Sequence, residues 1–324
     1  MIKIGIVGVG GRTGTLFTEE LKNASYVFGI GSNKKVEKIK KGEIFVCRSG
    51  EITQFKVNCI TKDEIANLNI DYLFLATKNP VKPVLEEYLL KFGTHLPCII
   101  LPQNGFVAGE DALNTIKEIF GNIPESLQII RVSLFNAVSG KEDKGRIVIS
   151  YKLPVRIAFS VFYGEENTEN LEEVFKSAHI DYVKVPQKFV KHMEYSKLFT
   201  NIIGLPSYSL GFDLLNGLKD ENAFLEEIHA LKEYVRFVKK RGNGFINFPH
   251  YPIRTFAKIV ELVPPSLLLP VRTIIANTIV KLRGGVEKGN IDEVQYYIGA
   301  VVRMAKNFGI DTPTLERVLR RFYE

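Results

Sequence analysis

Apolar residues recur with two different periods along this chain, and the change from one to the other divides it. In the first half, Ile4 to Val7, Tyr26 to Ile30, Tyr72 to Ala76 and Cys98 to Leu101 predict strands, whereas Thr13 to Leu21 and Val81 to Phe92 predict amphipathic helices. Such alternation implies a parallel sheet with helices on both faces, a doubly wound, Rossmann-like α/β domain. Leu127 to Leu134, Ile147 to Ser150 and Val155 to Phe162 follow at closer spacing, then a helix from Glu169 to Ala178 and a strand from Tyr182 to Val185. These predict an extension of the same sheet with some antiparallel pairing.

From Gln187 the strand pattern fades. Helical spacing takes over in His192 to Ile203, Ala223 to Lys240, Ser266 to Leu282, Asp292 to Phe308 and Pro313 to Phe322, which predicts an all-helical second domain. Val185-Pro186 is the candidate boundary, giving domains 1–186 and 187–324, and a chain of 324 residues is long enough for two cores. The most apolar later stretch, Leu262 to Val280, contains Pro264, Pro265, Pro270 and Arg272. That interruption argues against a membrane span and for a buried helix punctuated by proline.

Composition narrows the function classes. A hydrophobic content of 45% with 24% charged residues is that of an ordinary soluble globular protein. The formal charge of +7 favours anionic ligands, but its lysines and arginines are dispersed, which fits a phosphorylated small molecule better than nucleic acid. The densest group, Lys34 to Lys41, reads as the solvated face of a short helix. Cys47, Cys59 and Cys98 are widely spaced and lack histidine partners, so neither disulfides nor a metal site is expected. The opening Ile2-Lys3-Ile4-Gly5-Ile6-Val7 has no export leader, and a cytoplasmic location is the expectation.

The first strand runs into Gly8-Val9-Gly10-Gly11-Arg12-Thr13-Gly14 and then a helix. Glycines there let backbone N–H groups approach a pyrophosphate at a helix N-terminus, although Thr13 occupies the last place of the usual G-x-G-x-x-G and Gly14 follows one later. Gly8, Gly10, Gly11, Arg12 and Thr13 are therefore candidate cofactor residues. After the second strand, where an NAD site offers a carboxylate, the chain has Gly31-Ser32-Asn33-Lys34-Lys35. Without an acid there, Ser32 and Lys34 are suited to a 2′-phosphate, which points to NADPH.

Polar groups at the carboxyl ends of parallel strands face the ligand crevice. Here they are Thr77-Lys78-Asn79-Pro80 and Gln103-Asn104-Gly105. Further on, Lys197 and Asn201 lie four residues apart on one helical face, an ammonium and an amide that could polarise a ketone and protonate the alkoxide as hydride arrives. With Glu293, Gly299-Ala300-Val301-Val302 and Gly309-Ile310-Asp311-Thr312-Pro313, these segments resemble the ketopantoate reductase family over nearly the whole chain. The resemblance implies NADPH-dependent reduction of a 2-oxo acid, with ketopantoate leading to pantoate and coenzyme A, in a homodimer of this two-domain form.

The resemblance also implies roles. Lys197 would be the general acid and Glu293 its partner, while Lys78, Asn104 and Asn201 would orient cofactor and substrate. Three departures bear on the substrate: Leu205 stands where the family has asparagine before proline, the stretch Val280 to Gly285 lacks its serine, and Val294-Gln295 and Ile298-Gly299 replace Ile-Asp and Asn-Gly. Arg254, Arg272, Lys281 and Arg283 are candidates to bind a substrate carboxylate instead. A reductase of another carbonyl compound and a non-catalytic NADPH sensor are the alternatives.

Overall fold

The computed structural model describes residues 2–92, 96–143, 145–283 and 293–323. The chain forms two compact units: one comprises Met1–Gln103 and Ala108–Val190, the other Asn104–Val107 and Lys191–Glu324. Four residues within the first half of the sequence thus pack with the helical unit.

The first unit is built on β1 (Lys3–Val7), α1 (Arg12–Leu21), β2 (Tyr26–Gly31), α2 (Asn33–Lys40), β3 (Ile44–Arg48), β4 (Glu51–Gln54), β5 (Asn58–Thr61) and β6 (Tyr72–Leu75). It continues through α3 (Lys82–Leu89), β7 (Cys98–Leu101), α4 (Ala108–Phe120), β8 (Ile129–Leu134), β9 (Ser139–Asp143), β10 (Arg146–Tyr151), β11 (Arg156–Tyr163), α5 (Glu169–Ser177) and β12 (Asp181–Lys184). Eight strands make the main sheet in the order β12-β11-β8-β7-β6-β1-β2-β5, parallel except where β11 meets β8. Successive side chains of a strand point to opposite faces. Ile4 and Ile6, Tyr72 and Phe74, and Ile100 accordingly enter one core with Leu16, Phe17 and Leu21 of α1. Val7, Leu73 and Leu75, Ile99 and Leu101 enter the other, against Val81 just before α3, Leu85 and Leu89 of α3, and Ala112 and Ile116 of α4. The doubly wound architecture expected from the alternation is present.

The sequence expectation placed Ile147 to Ser150 in this main sheet; the structure corrects it. That segment lies in β10, within a second sheet ordered β4-β3-β10-β9. Its central pairing sets Ile147 beside Ile44 and Ile149 beside Val46, and these four side chains pack into the core that contains α1. A partly buried polar set joins the layers: Tyr151 Oη donates to Glu20 Oε1 at 2.7 Å, and Arg48 Nε lies 3.0 Å from the same oxygen.

The helical unit comprises most of α6 (Val190–Ile202), then α7 (Leu205–Ser209), α8 (Leu214–Lys219), α9 (Glu221–Lys240), α10 (Ile253–Leu262), α11 (Pro265–Leu268), α12 (Arg272–Arg283), α13 (Ala300–Asn307) and α14 (Pro313–Arg321). The long helix α9 buries Phe224, Leu231, Tyr234 and Phe237, and three of its acids tie neighbouring elements to it. Glu227 accepts from Gly204 N at 3.1 Å and from Ser207 N and Oγ at 3.0 and 2.7 Å, which satisfies the start of α7. Glu233 accepts from Thr314 N and Leu315 N at 2.9 Å, which caps α14, and Glu226 pairs with Arg317 and Arg321.

The stretch Leu262 to Val280 is not the buried helix that its apolar content predicted. Leu262, Leu267 and Ile274 are 66%, 65% and 67% exposed, and the stretch is broken into α11, a 3₁₀ turn at Leu269–Val271 and α12. Leu268 and Ala276 are buried, and Arg272 donates to the carbonyls of Lys219 and Leu269. Apolar content measured how much the segment could bury, whereas packing against α8 along one face decided how much it does.

Glu227 is 1% exposed, so its removal strands buried donors as well as an anion's hydrogen bonds. Glu227→Ala should lower the unfolding free energy by about 3 kcal/mol in urea titrations. A loss below about 0.5 kcal/mol would show that α7 does not depend on this carboxylate.

Candidate functional site

In the first unit, the turn after β1 is shaped for close backbone approach. Gly8 has φ +93°, and a Cβ there would lie 2.7 Å from the carbonyl oxygen of Ala76. A Cβ on Gly14 would lie 2.3 Å from Gly8 O, so this glycine lets α1 start directly against the turn. The displaced last glycine of the motif therefore performs the close-packing role. The first turn of α1 contains no acid, and its positive end suits an anion. Gly10, Gly11, Arg12 and Thr13 lie on this turn and the first turn of α1; Arg12 is exposed. A dinucleotide pyrophosphate fits such a cradle.

After β2, Ser32 occupies the N-cap of α2 without a side-chain capping bond, and Ser32, Asn33 and Lys34 are exposed. Lys35 is half-buried, with its stem over Gly10, where a Cβ would meet Lys35 Cδ at 3.2 Å. The segment Gly31–Lys35 contains no acid and Glu37 of α2 is paired with Lys41, but the second sheet brings a further carboxylate. Glu142 of β9 pairs with Lys38 at 3.0 Å, and Lys38, with smaller contributions from Lys35 and Lys34, holds its carboxyl below the usual carboxylate range.

At the carboxyl ends of β6 and β7, Lys78 is exposed whereas Asn79 and Gln103 are buried. Gln103 Nε2 donates to Leu75 O, linking the two strand ends. Arg131, 2% exposed on β8, donates through Nη1 to Leu101 O and through Nη2 to Gln103 O, both at 2.8 Å. Thr77 Oγ1 and Gln103 Oε1 are buried without a hydrogen-bond partner among the described residues, leaving polar capacity at these strand ends.

In the helical unit, α6 is buried on most of its circumference. Met193, Glu194, Tyr195, Ser196, Leu198, Phe199 and Ile202 are buried, while Lys197, Thr200 and Asn201 share a partly open face. Asn201 Nδ2 is buried and has no hydrogen-bond partner among the described residues. The helix is held in place by Tyr234 Oη donating to Tyr195 O at 2.8 Å, Arg241 Nη1 donating to Tyr195 Oη at 2.7 Å, and Ile246 N donating to Ser196 Oγ at 2.8 Å. His192, also on α6, has its pKa lowered by burial.

The segment Asn104–Val107 belongs to this unit. Lys191 Nζ donates to Phe106 O at 3.0 Å, and the Phe106 ring lies 5.0 Å from that of Tyr195. Asn104 Nδ2 donates to Tyr297 Oη at 3.2 Å, and Tyr297 Oη donates to Glu293 Oε2 at 3.2 Å. Glu293 and Tyr297 are 7% and 4% exposed. Two sequence candidates almost two hundred residues apart, Asn104 and Glu293, are thus brought together by a tyrosine that sequence reasoning did not select. Its one sequence signal was the Tyr296-Tyr297 doublet shortly after Glu293.

Other candidates are placed differently. Arg272 is committed to backbone carbonyls, Arg254 and Lys281 are exposed, and the side chain of Arg283 and residues 284–292, just before Glu293, lie outside the described residues. Leu205 is buried at the start of α7. Among the described residues, no group of histidine, cysteine and carboxylate side chains could hold a metal ion.

Comparison with known proteins gives a consistent result. The family described as ketopantoate reductase PanE/ApbA matches residues 4–153, and its C-terminal counterpart matches residues 273–322. No curated protein sequence matches the chain. Among solved structures, a D-mandelate dehydrogenase with NADH and anilino(oxo)acetate aligns with a TM-score of 0.74 at 14% identity, covering 99% of this chain and 97% of that one. The PanE/ApbA family ketopantoate reductase from Ralstonia eutropha JMP134 aligns at 0.74 and 12% identity, covering 100% and 97%. The 2-dehydropantoate 2-reductase from Geobacter metallireducens GS-15 aligns at 0.73 and 17% identity, covering 99% of both chains. Identities this low speak for the fold, and the two matched domains speak for the family: the chain belongs to the ketopantoate reductase family.

Proposed function

We propose that the protein reduces a 2-oxo acid to the 2-hydroxy acid with NADPH, and that ketopantoate is its leading substrate. The observation that carries this reading is the hydrogen-bonded set Asn104, Tyr297 and Glu293, in the same unit as the Lys197–Asn201 face of α6. A carboxylate, an ammonium and two amides are the groups needed to bind and protonate a carbonyl oxygen.

A bound nicotinamide would supply the hydride. The Lys197 ammonium would donate a hydrogen bond to the carbonyl oxygen, stabilise the growing alkoxide charge and then transfer a proton to it. Glu293 would be the partner of that lysine, and Asn201, with its buried amide nitrogen, would hold the substrate. Gly8, Gly10, Gly11, Arg12 and Thr13 would hold the pyrophosphate, Ser32 and Lys34 the 2′-phosphate, and Lys78 and Asn104 the nicotinamide end. The dimeric ketopantoate reductase from Staphylococcus aureus, similar at 16% identity, supports a homodimer.

A second reading, the same chemistry on a different 2-oxo acid, is favoured by the buried leucine at 205 and by the likeness to D-mandelate dehydrogenase. Nicotinamide oxidation should be followed with ketopantoate, with phenyl-substituted 2-oxo acids, and with NADPH and NADH in turn. Turnover by at least one of these acids is expected. Tight NADPH binding without oxidation by any of them would establish the sensor alternative instead.

Lys197→Ala should reduce kcat roughly 10²- to 10⁴-fold, the usual contribution of a positioned acid, while the NADPH Kd changes less than about threefold. Equal turnover would remove Lys197 from the mechanism. The double substitution of Lys34 and Lys35 by glutamine should weaken NADPH about tenfold and leave NADH binding unchanged in fluorescence titrations. Equal weakening of both cofactors would place the lysines away from the 2′-phosphate.

A further inference from the structure

We infer that Tyr297 is a positioning residue that sets the donor and acceptor sense of Asn104 and Glu293; as a statement about catalysis, this rests on the reductase reading above. Three observations carry it. The phenol oxygen lies 3.2 Å from Asn104 Nδ2 and 3.2 Å from Glu293 Oε2, so a single buried atom joins the loop after β7 to the acid. Tyr297 is 4% exposed, and burial of a hydroxyl is favourable only when its hydrogen bonds are made. The residues Gln295–Gly299 form a π-helical turn immediately after Glu293 and Val294, a local widening that costs regular hydrogen bonding and is frequent at functional sites.

The chemistry fixes the direction of the chain. An ionised carboxylate only accepts, so the one phenolic proton goes to Glu293, and the phenol oxygen then accepts an N–H of Asn104. Hydrogen bonds aligned in this way polarise one another. The amide of Asn104 is thereby held with its nitrogen toward Tyr297, which determines which edge can accept from a ligand. In this chain Ile298 stands where the family resemblance calls for asparagine, and the neighbouring Tyr297 places a polar atom in the same turn.

Tyr297→Phe keeps the ring and removes only the hydroxyl. With the 2-oxo acid that the wild-type protein reduces, kcat should fall about tenfold while the NADPH Kd stays within about twofold, a split that a purely structural role would not produce. In ¹⁵N-asparagine-labelled protein, the Asn104 side-chain amide signals, identified by their loss in Asn104→Ser, should shift in Tyr297→Phe. An unchanged kcat in an active enzyme, or unmoved Asn104 signals, overturns the inference. Absence of wild-type turnover with shifted signals would refute the reductase reading while upholding the coupling of Tyr297 to Asn104.

Discussion

The end of β7 is the constraint on which the candidate chemistry depends, because there the polypeptide changes from one compact unit to the other, between Gln103 and Asn104. On the sheet side, the guanidinium of Arg131 binds Leu101 O and Gln103 O, and Gln103 reaches Leu75 O. A cation buried to this extent is tolerable only with its donors satisfied, and each charge-assisted bond of this kind contributes about 1.5–3 kcal/mol. The strand end is therefore fixed. Within the helical unit, Lys191 and Tyr195 hold Phe106, and Tyr297 holds Asn104. One four-residue segment, Asn104–Val107, consequently carries an amide that the sheet topology would assign to the nucleotide end but that packs with the helices.

What could be read from the sequence was local. The run from Ile4 through the glycine turn to Leu21 shows its strand, its close approach and its helix in eighteen consecutive positions, because each depends on neighbours in the chain. The shared face of Lys197 and Asn201 was equally legible, since helical periodicity alone places them together. What could not be read was long-range pairing. Ile44 and Ile147 are neighbours in the second sheet across about a hundred residues, and nothing in either segment specifies the other. The same sheet delivers Glu142 to the lysines of α2, and the link from Asn104 to Tyr297 spans a still longer interval.

Charge patterning misleads for a related reason. Glu226, Glu227 and Glu233 look like the solvated acids of an amphipathic helix, yet all are buried and hold α7 and α14 in place. The apolar segment from Leu262 to Ile274 errs in the other direction, with large aliphatic side chains left exposed. Hydropathy describes what a side chain would gain from burial; the neighbours decide whether burial happens, and here Glu227 and Glu233, which accept backbone N–H groups, are buried beside the apolar residues of α9.

The acid contributed by β9 does not reverse the electrostatics of the cofactor end. Glu142 is 61% exposed and is paired with Lys38, itself largely covered, so one anion and one cation cancel locally. In water, unit charges 4 Å apart interact by only about 1 kcal/mol, and screening reduces that further with distance. Lys34 and Lys35 remain beside Ser32 at the start of α2, where the helix N-terminus adds a positive potential of its own. A dianionic phosphate would meet two cations and a helix end against two carboxylates, Glu142 and Glu37, already paired with Lys38 and Lys41. The NADPH reading proposed above therefore rests on the order of charges along α2 rather than on the net charge of the chain.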